Sequence, residues 1–393
     1  MTAPLQAEVV GGLTALDPDW DRLAHASACT SGRAYLGAVD GPGTFRVQVR
    51  RGDRLLAAMP GWRSDGHGHS WLEPAQVLAP LGVTAQRPLI VGAPWAFGGE
   101  LLLDPEAGED VVAALVAALR EHAADTDADG IYALHLDDRS MQRLAACASA
   151  PVLLEFDAAI DVRGGFDAWL GRLPRHRRGS LRSELRALSA AGMTTAFESS
   201  ASALAELAPI LAAAEARHGH AFEPQALYRA LERQRQALGD AFAISTVRDR
   251  EGVLVAGAIA LLDRDAISMR VCGVDRSRAG RHFEYFHACY YTPLRACSDS
   301  GRTRLHLGMT ALEAKALRGA ELEPRWGLDL GAQPRWRPVQ ARRHGAARLA
   351  ELEPLRRRIA TVLAPQRHAA LATAFAEAPA PPVVPAGNAA HPC

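Results

Sequence analysis

Apolar and polar positions change period several times along the chain, and each change marks an element. In the first 155 residues, 55–59, 89–92 and 131–136 are short apolar runs of strand character. Val111, Val112, Leu115 and Leu119 recur at helical spacing over 109–122. The stretch 82–99 carries Pro88, Pro94, Gly98 and Gly99 and has loop chemistry. Beyond residue 156 the pattern turns helical, over 166–192, 202–218 and 224–238. Leu204, Leu207 and Leu211 share a face of the second of these, with Pro209 as a point for a kink. The period then drops to two over 241–247, 253–262 and 267–274. The short turn sequences 249–252 and 263–265 separate these runs, which predicts an antiparallel meander. A helix is expected over 281–298, with Phe283, Phe286, Tyr290, Leu294 and Cys297 on one face and Gly301 closing it. A strand over 304–307 and a helix over 311–319 complete the run. The crossover helix lets the last strand lie parallel to the third of the meander. A sheet splayed in this way opens a cleft beside that third strand.

Length and composition add bounds. At 393 residues the chain exceeds one ordinary domain, and two are expected. An apolar fraction of 48% with 22% charged residues is that of a globular protein. The N-terminal stretch has no basic then apolar signal pattern, and no run of 18 apolar residues occurs, so a cytoplasmic location with no membrane partner is expected. The cysteines show no C-x-x-C spacing and read as reduced thiols. Net charge is zero, but its distribution is uneven. Arg172, Arg175, Arg177, Arg178, Arg182 and Arg186 crowd one helix. A second basic run over 335–358 sets eight arginines against Glu351 and Glu353. Only one of the 44 basic residues is a lysine, Lys315, which fits the codon usage of a GC-rich genome and also explains many of the arginines. From residue 379 the Pro- and Ala-rich tail is expected to be disordered.

Three motifs carry a resemblance. The first is Arg175-His-Arg-Arg178-Gly-Ser-Leu-Arg182-Ser-Glu184-Leu-Arg186, the second His282-Phe-Glu-Tyr-Phe-His287-Ala-Cys289-Tyr290-Tyr291. The third runs from Gly308 through Glu313, Lys315, Arg318 and Gly319 to Pro324. Together they resemble the Fem-like branch of the GNAT superfold, labelled peptidoglycan biosynthesis/recognition proteins. The patterns of that branch are R-x-R-x-x-I-R-x-E-R, H-F-E-x-C-Y-Y and G-A-Q-G-E-H-K-x-x-R-G-F-x-P. His287 stands where the branch has Glu, and the Gln, His and Phe of the third pattern are missing. The resemblance is close over 155–326 and looser before it, through Pro94-Trp-Ala-Phe-Gly-Gly99. It implies an α/β (α+β) fold of tandem GNAT-like halves, each a mixed splayed sheet flanked by helices. The expected division is an N-terminal half over 1–155, a catalytic half over 156–330, a basic helical extension over 331–378 and the tail.

Acyl transfer from an activated donor asks a protein to orient an amine, keep it deprotonated and stabilise an oxyanion. Glu284, His287, Tyr290 and Tyr291 lie on the crossover helix, and 284, 287 and 291 share a face. His287 there would accept the amine proton and a tyrosine would donate to the leaving group; a partly buried aromatic face is the alternative. In acyl-CoA users the turn before this helix is glycine-rich and cradles a pyrophosphate. Here Gly280 alone remains among Arg276, Arg278 and Arg281, which suit bidentate phosphate contacts or a plain surface turn. The resemblance gives Lys315 and Arg318 a role with an anionic donor or an oxyanion. Arg177, Arg178 and Arg182 belong to a stripe able to follow a phosphate backbone, or merely to solubilise. His67-Gly-His69 has no third ligand nearby in sequence, so no metal is expected, and Asp137-Asp138 reads as a turn. His306, on a strand, reads as structural.

These readings make the chain an amide-forming acyltransferase without a cofactor. Its expected co-substrate is aminoacyl-tRNA and its acceptor the amine of a small molecule, in specialised-metabolite biosynthesis. The alternatives are an acyl-CoA-dependent N-acyltransferase and a non-catalytic protein that recognises a cell-wall peptide or sugar.

Overall fold

The computed structural model describes residues 3–12, 15–24, 29–65, 69–96, 101–359 and 361–376. His67, Phe97, Gly98, Gly99 and the tail from 379 lie outside the described residues. One mixed sheet joins thirteen strands. The first six are β1 (Leu5–Val10), β2 (Thr44–Arg51), β3 (Arg54–Arg63), β4 (Leu89–Val91), β5 (Leu102–Leu103) and β6 (Ile131–Leu136). Then come β7 (Val152–Asp161), β8 (Thr194–Glu198), β9 (Phe242–Arg248), β10 (Leu254–Leu262), β11 (Ala266–Val274), β12 (Arg304–Gly308) and β13 (Glu321–Asp329). Their order is β1-β2-β3-β4-β6-β13-β7-β12-β11-β10-β9-β8, with β5 beside β3.

The same unit occurs twice. Strands β2, β3 and β4 form an antiparallel run, the helix Glu109–Asp125 crosses over, and β6 returns parallel to β4, with Leu89 opposite Ile131. Strands β9, β10 and β11 repeat the meander, a second helix crosses over, and β12 returns parallel to β11. Val111, Val112, Leu115, Val116 and Leu119 of the first crossover helix are all buried, which accounts for its helical period. Glu109 and Asp110 in its first turn complement the helix dipole. Truncating Leu115 there to Ala would cost roughly 2–5 kcal/mol.

Strand β13 was not legible from the sequence. It lies between β6 and β7, antiparallel to both. Pro324 sits within it opposite Phe156, next to a register shift at Arg325/Trp326. A proline without an N–H argues against a central strand, and the neighbouring irregularity is where one is tolerated. The division expected at 155/156 falls inside β7.

The basic segment is two helices, Gly165–Arg172 and Arg175–Ala190, broken at Pro174. The second crossover helix starts at Glu284, three residues later than expected, because Phe283 takes a left-handed conformation. Its middle, His287–Tyr291, is a π turn before Thr292–Asp299. Pro293 cannot donate to the carbonyl of Cys289, and a widened turn accommodates that loss. Cys289 on this turn pairs with Cys272 of β11 as a disulfide, which corrects the expectation of reduced thiols for these two; Cys29, Cys147 and Cys297 form no disulfide. The helix Leu312–Ala316 is shorter than the expected 311–319 and gives way to a turn at Gly319. Helices Pro338–Arg358 and Pro365–Ala376 pack on each other, the first also against β7. Among the described residues no helix is long and apolar enough to cross a membrane.

Candidate active site

Strands β11 and β12 pair only from Ala266↔Arg304 to Ser268↔His306, and β11 then runs on to Val274. The sheet is therefore open beside the second half of β11. At the end of β12 the carbonyl of Gly308 accepts a 2.8 Å hydrogen bond from Nζ of Lys315, which reaches back from the short helix Leu312–Ala316. Lys315 is only 5% exposed. Burial pulls its amine down from 10.5 to about 8, with the Asp157 carboxylate opposing the shift. Asp157, on β7, pairs with Arg325 at 2.6 Å and with His306 Nδ1 at 3.4 Å. Burial alone would raise the Asp157 carboxyl; Arg325 and His306 outweigh it and hold the group well below the carboxylate range. A buried ammonium therefore sits just past the point where the strands part, close to a permanently ionised acid.

Arg318 lies in a different environment. It is buried; its Nη2 meets Glu184 at 3.0 Å, its Nε donates to the Tyr291 hydroxyl at 3.2 Å, and its Nη1 donates to the Ala314 carbonyl at 3.1 Å. Its guanidinium also lies 3.5 Å from the centroid of the Phe286 ring, a desolvated cation–π contact, and 5.1 Å from that of Tyr290. The Tyr291 hydroxyl donates to the same Glu184 carboxylate. His287 Nε2 is 3.3 Å from the Glu184 backbone carbonyl, with its ring edge-on to Tyr291. Burial lowers the His287 imidazole and raises the Tyr290 and Tyr291 phenols, so all three stay neutral. His287, Tyr291 and Arg318 thus meet on Glu184 of the basic helix, and Tyr290 packs beside them against the Phe286 ring and the Arg318 guanidinium. The buried aromatic face is what forms, and an open catalytic face shared by 284, 287 and 291 is not.

Glu284 departs furthest from expectation. Its carboxylate turns back into the preceding turn and accepts N–H groups from Gly280 at 2.7 Å and His282 at 3.3 Å. No hydrogen bond among the described residues joins it to His287 or Tyr291. The backbone donors at which a pyrophosphate would dock are engaged by the protein's own acid. Arg276, Arg278 and Arg281 project from the same turn into solvent.

The basic helix divides in two. Arg178 seals the end of Gly165–Arg172 by donating to the carbonyls of Gly171 and Leu173, each at 2.9 Å, so it is a structural residue. Arg177 lines a cavity of about 700 Å³ together with Arg172, His176, Trp169 and Arg358. Arg175, Arg182 and Arg186 are exposed, and their i, i+7, i+11 spacing keeps them on one face. In the second basic run Arg348, Arg356, Arg357 and Arg358 are engaged in ion pairs. Arg348 meets Glu155, Arg356 and Arg357 meet Glu353 at 2.7 and 3.3 Å, and Arg358 meets Glu313 at 2.8 Å.

A family model for FemAB-like proteins, described as peptidoglycan biosynthesis/recognition, matches residues 19–348. The chain belongs to the FemAB-like family. Its fold is shared with FemX (TM-score 0.59, 12% identity, 82% of this chain and 97% of that one). It is shared too with the C-terminal domain of a putative lysylphosphatidylglycerol synthetase from Agrobacterium fabrum (TM-score 0.52, 12% identity, 88% and 97%). A tandem GNAT protein from the clavulanic acid biosynthesis pathway is also similar (TM-score 0.50, 12% identity, 84% and 100%). At such identities these structures attest the tandem GNAT fold. No curated protein matches the chain. Family membership makes it a GNAT-type acyl/aminoacyltransferase.

Three charged residues of this FemAB-like chain were given no role from its sequence. Glu184 is the one acid within the arginine run, and that exception was the available signal. Asp157 interrupts the apolar run of β7, a second such signal. Arg325 stands beside Pro324 in a strand the pattern did not reveal. Elsewhere, His69 gains in space the partners it lacks in sequence, Glu215 and His220.

Proposed function

We propose that this FemAB-like chain moves an aminoacyl group from aminoacyl-tRNA to the amine of a small molecule, with the Lys315 ammonium stabilising the oxyanion. The observation that carries the choice of donor is Glu284. With its carboxylate on the Gly280 and His282 amides, the turn offers no free backbone cradle to the pyrophosphate of coenzyme A. The exposed face of Arg175, Arg182 and Arg186 offers instead a track for a phosphate backbone, about 16 Å long at helical rise. The neutral amine attacks the carbonyl carbon of the aminoacyl ester. The C–N bond forms, the C–O bond to the terminal ribose breaks, and the ribose oxygen leaves with the proton the amine gives up. Negative charge gathers on the carbonyl oxygen between these events. A desolvated cation such as Lys315 acts most strongly there.

The departures from the family motifs, His287 among them, favour an acceptor in specialised metabolism over a wall precursor. The test incubates the chain with radiolabelled aminoacyl-tRNA and a panel of amines. Amine-dependent deacylation that ribonuclease abolishes is the expected result. Amide formation from acyl-CoA alone, indifferent to ribonuclease, overturns the proposal.

A further inference from the structure

We propose that His69, Glu215 and His220 form a binding site for a divalent transition-metal ion of zinc type, which clips the N-terminal part of the chain to the C-terminal part. The site is remote in sequence and does not depend on the proposed transfer reaction. One ligand atom from each residue lies within 4.8 Å of the other two. The two imidazole rings stack with centroids 3.9 Å apart, and His69 Nε2 is 3.9 Å from a Glu215 carboxylate oxygen. Zinc takes this donor set, with bonds of about 2.0–2.2 Å and a fourth position left for water. The ligand atoms then need to close by roughly 1 Å, a small movement for half-buried side chains on a loop and a helix end.

Two of the three ligands are already fixed to each other. The helix Ala201–Ala216 ends beside Glu215, whose carbonyl accepts the N–H groups of His218 at 2.9 Å and His220 at 3.0 Å. Gly219 between them has φ +87°, which a residue with a side chain rarely adopts, so the turn that returns His220 over Glu215 is set by the backbone. His69 comes from the loop after β3. Its half-buried ring lies against that of His220, with Nε2 toward the Glu215 carboxylate. The neighbouring Arg270 guanidinium is directed to the Trp95 carbonyl. Loading the ion on Nε2 moves the ring proton to Nδ1, so the long Trp71 N–H contact there, 3.3 Å, opens.

Cobalt(II) is the probe, because its visible bands distinguish nitrogen and oxygen ligands from thiolates and so exclude the cysteines. The full chain, stripped of metal with its disulfide intact, is titrated with cobalt(II) and then with zinc(II). One equivalent bound, with bands free of sulfur charge transfer and displaced by zinc, is expected. His69→Ala, His220→Ala and Glu215→Gln should each weaken it at least about tenfold with an unchanged far-ultraviolet spectrum. Zinc should also raise the melting temperature of the unmodified chain alone. No saturable binding by the unmodified chain, sulfur-ligand bands, or equal binding by the variants overturns the proposal. Glu215→Gln, at a half-exposed helix end, decides the matter if a histidine variant fails to fold.

Discussion

Replacing Lys315 by Met removes the charge and keeps an unbranched side chain of similar bulk. Lowering the amine from 10.5 to about 8 corresponds to roughly 3 kcal/mol of destabilisation of the folded ammonium. Met escapes that penalty but leaves the Gly308 carbonyl without its donor, a loss of about 1–2 kcal/mol. Near pH 7 the variant should therefore be the more stable by about 1–2 kcal/mol. The sign reverses on the alkaline side. Between about 8 and 10.5 the folded amine is neutral while the unfolded one still holds its proton. The unfolded state binds more protons, and the parent's stability rises with pH by up to about 1.4 kcal/mol per unit. Met has no such dependence, so by the top of that window the parent should be the more stable. Urea unfolding of both proteins at several pH values from about 7 to 10 measures the difference, in which all other titrations cancel. A difference that does not change with pH refutes the reasoning, because Lys315 would then not be a desolvated ammonium. The same variant should lose transfer activity by roughly 10²–10³.

Glu184→Ala leaves the buried Arg318 guanidinium without its acid, and unfolding free energy should fall by about 3–5 kcal/mol in urea melts; a loss under about 1 kcal/mol contradicts the buried knot. Glu284→Ala frees the Gly280 and His282 amides, so calorimetry should detect inorganic pyrophosphate bound by the variant and not by the parent. Binding by the parent itself counts against the occupied turn. Exchanging Arg175, Arg182 and Arg186 together for Ala should reduce the salt dependence of tRNA binding by roughly two to three in log–log slope, as measured by filter binding. An unchanged slope moves the tRNA track elsewhere.

What the sequence disclosed was what is local. The meander β9–β10–β11, the crossover and the parallel return of β12 follow from changes of hydrophobic period within 241–308, and the structure reproduces the order. The end of the crossover helix was legible too, because Gly301 supplies the left-handed residue that follows it. Side-chain direction was less accessible. The shared face of 284, 287 and 291 assumed a regular helix, and the left-handed Phe283 and the π turn at His287–Tyr291 redirect those side chains. Arg318 could be read as a donor ligand only while Glu184, quoted in the first motif, had no partner assigned to it. Strand β2 was obscured because its buried positions include Arg46 and Gln48, which bond to Asp40, the Ala15 carbonyl and the Asp17 amide, all outside the strand. No local pattern joins His69 to Glu215 and His220, since tertiary packing alone brings them together.

The place of β13 fixes an order of events during synthesis. Strands β6 and β7 leave the ribosome first, each with an edge it cannot yet pair. Their shared partner is made after the whole second meander; Trp326 bonds to Asp138, 188 residues upstream. Nascent chains fold from the N-terminus where they can, but here the central seam of the sheet stays open until residue 329 has emerged. Long-range pairing of this kind is slow, and open strand edges invite association with other chains. A message cut short before residue 321 would yield two unsealed half-sheets, so the cell would be left with a substrate for chaperones and proteases in place of a smaller working enzyme.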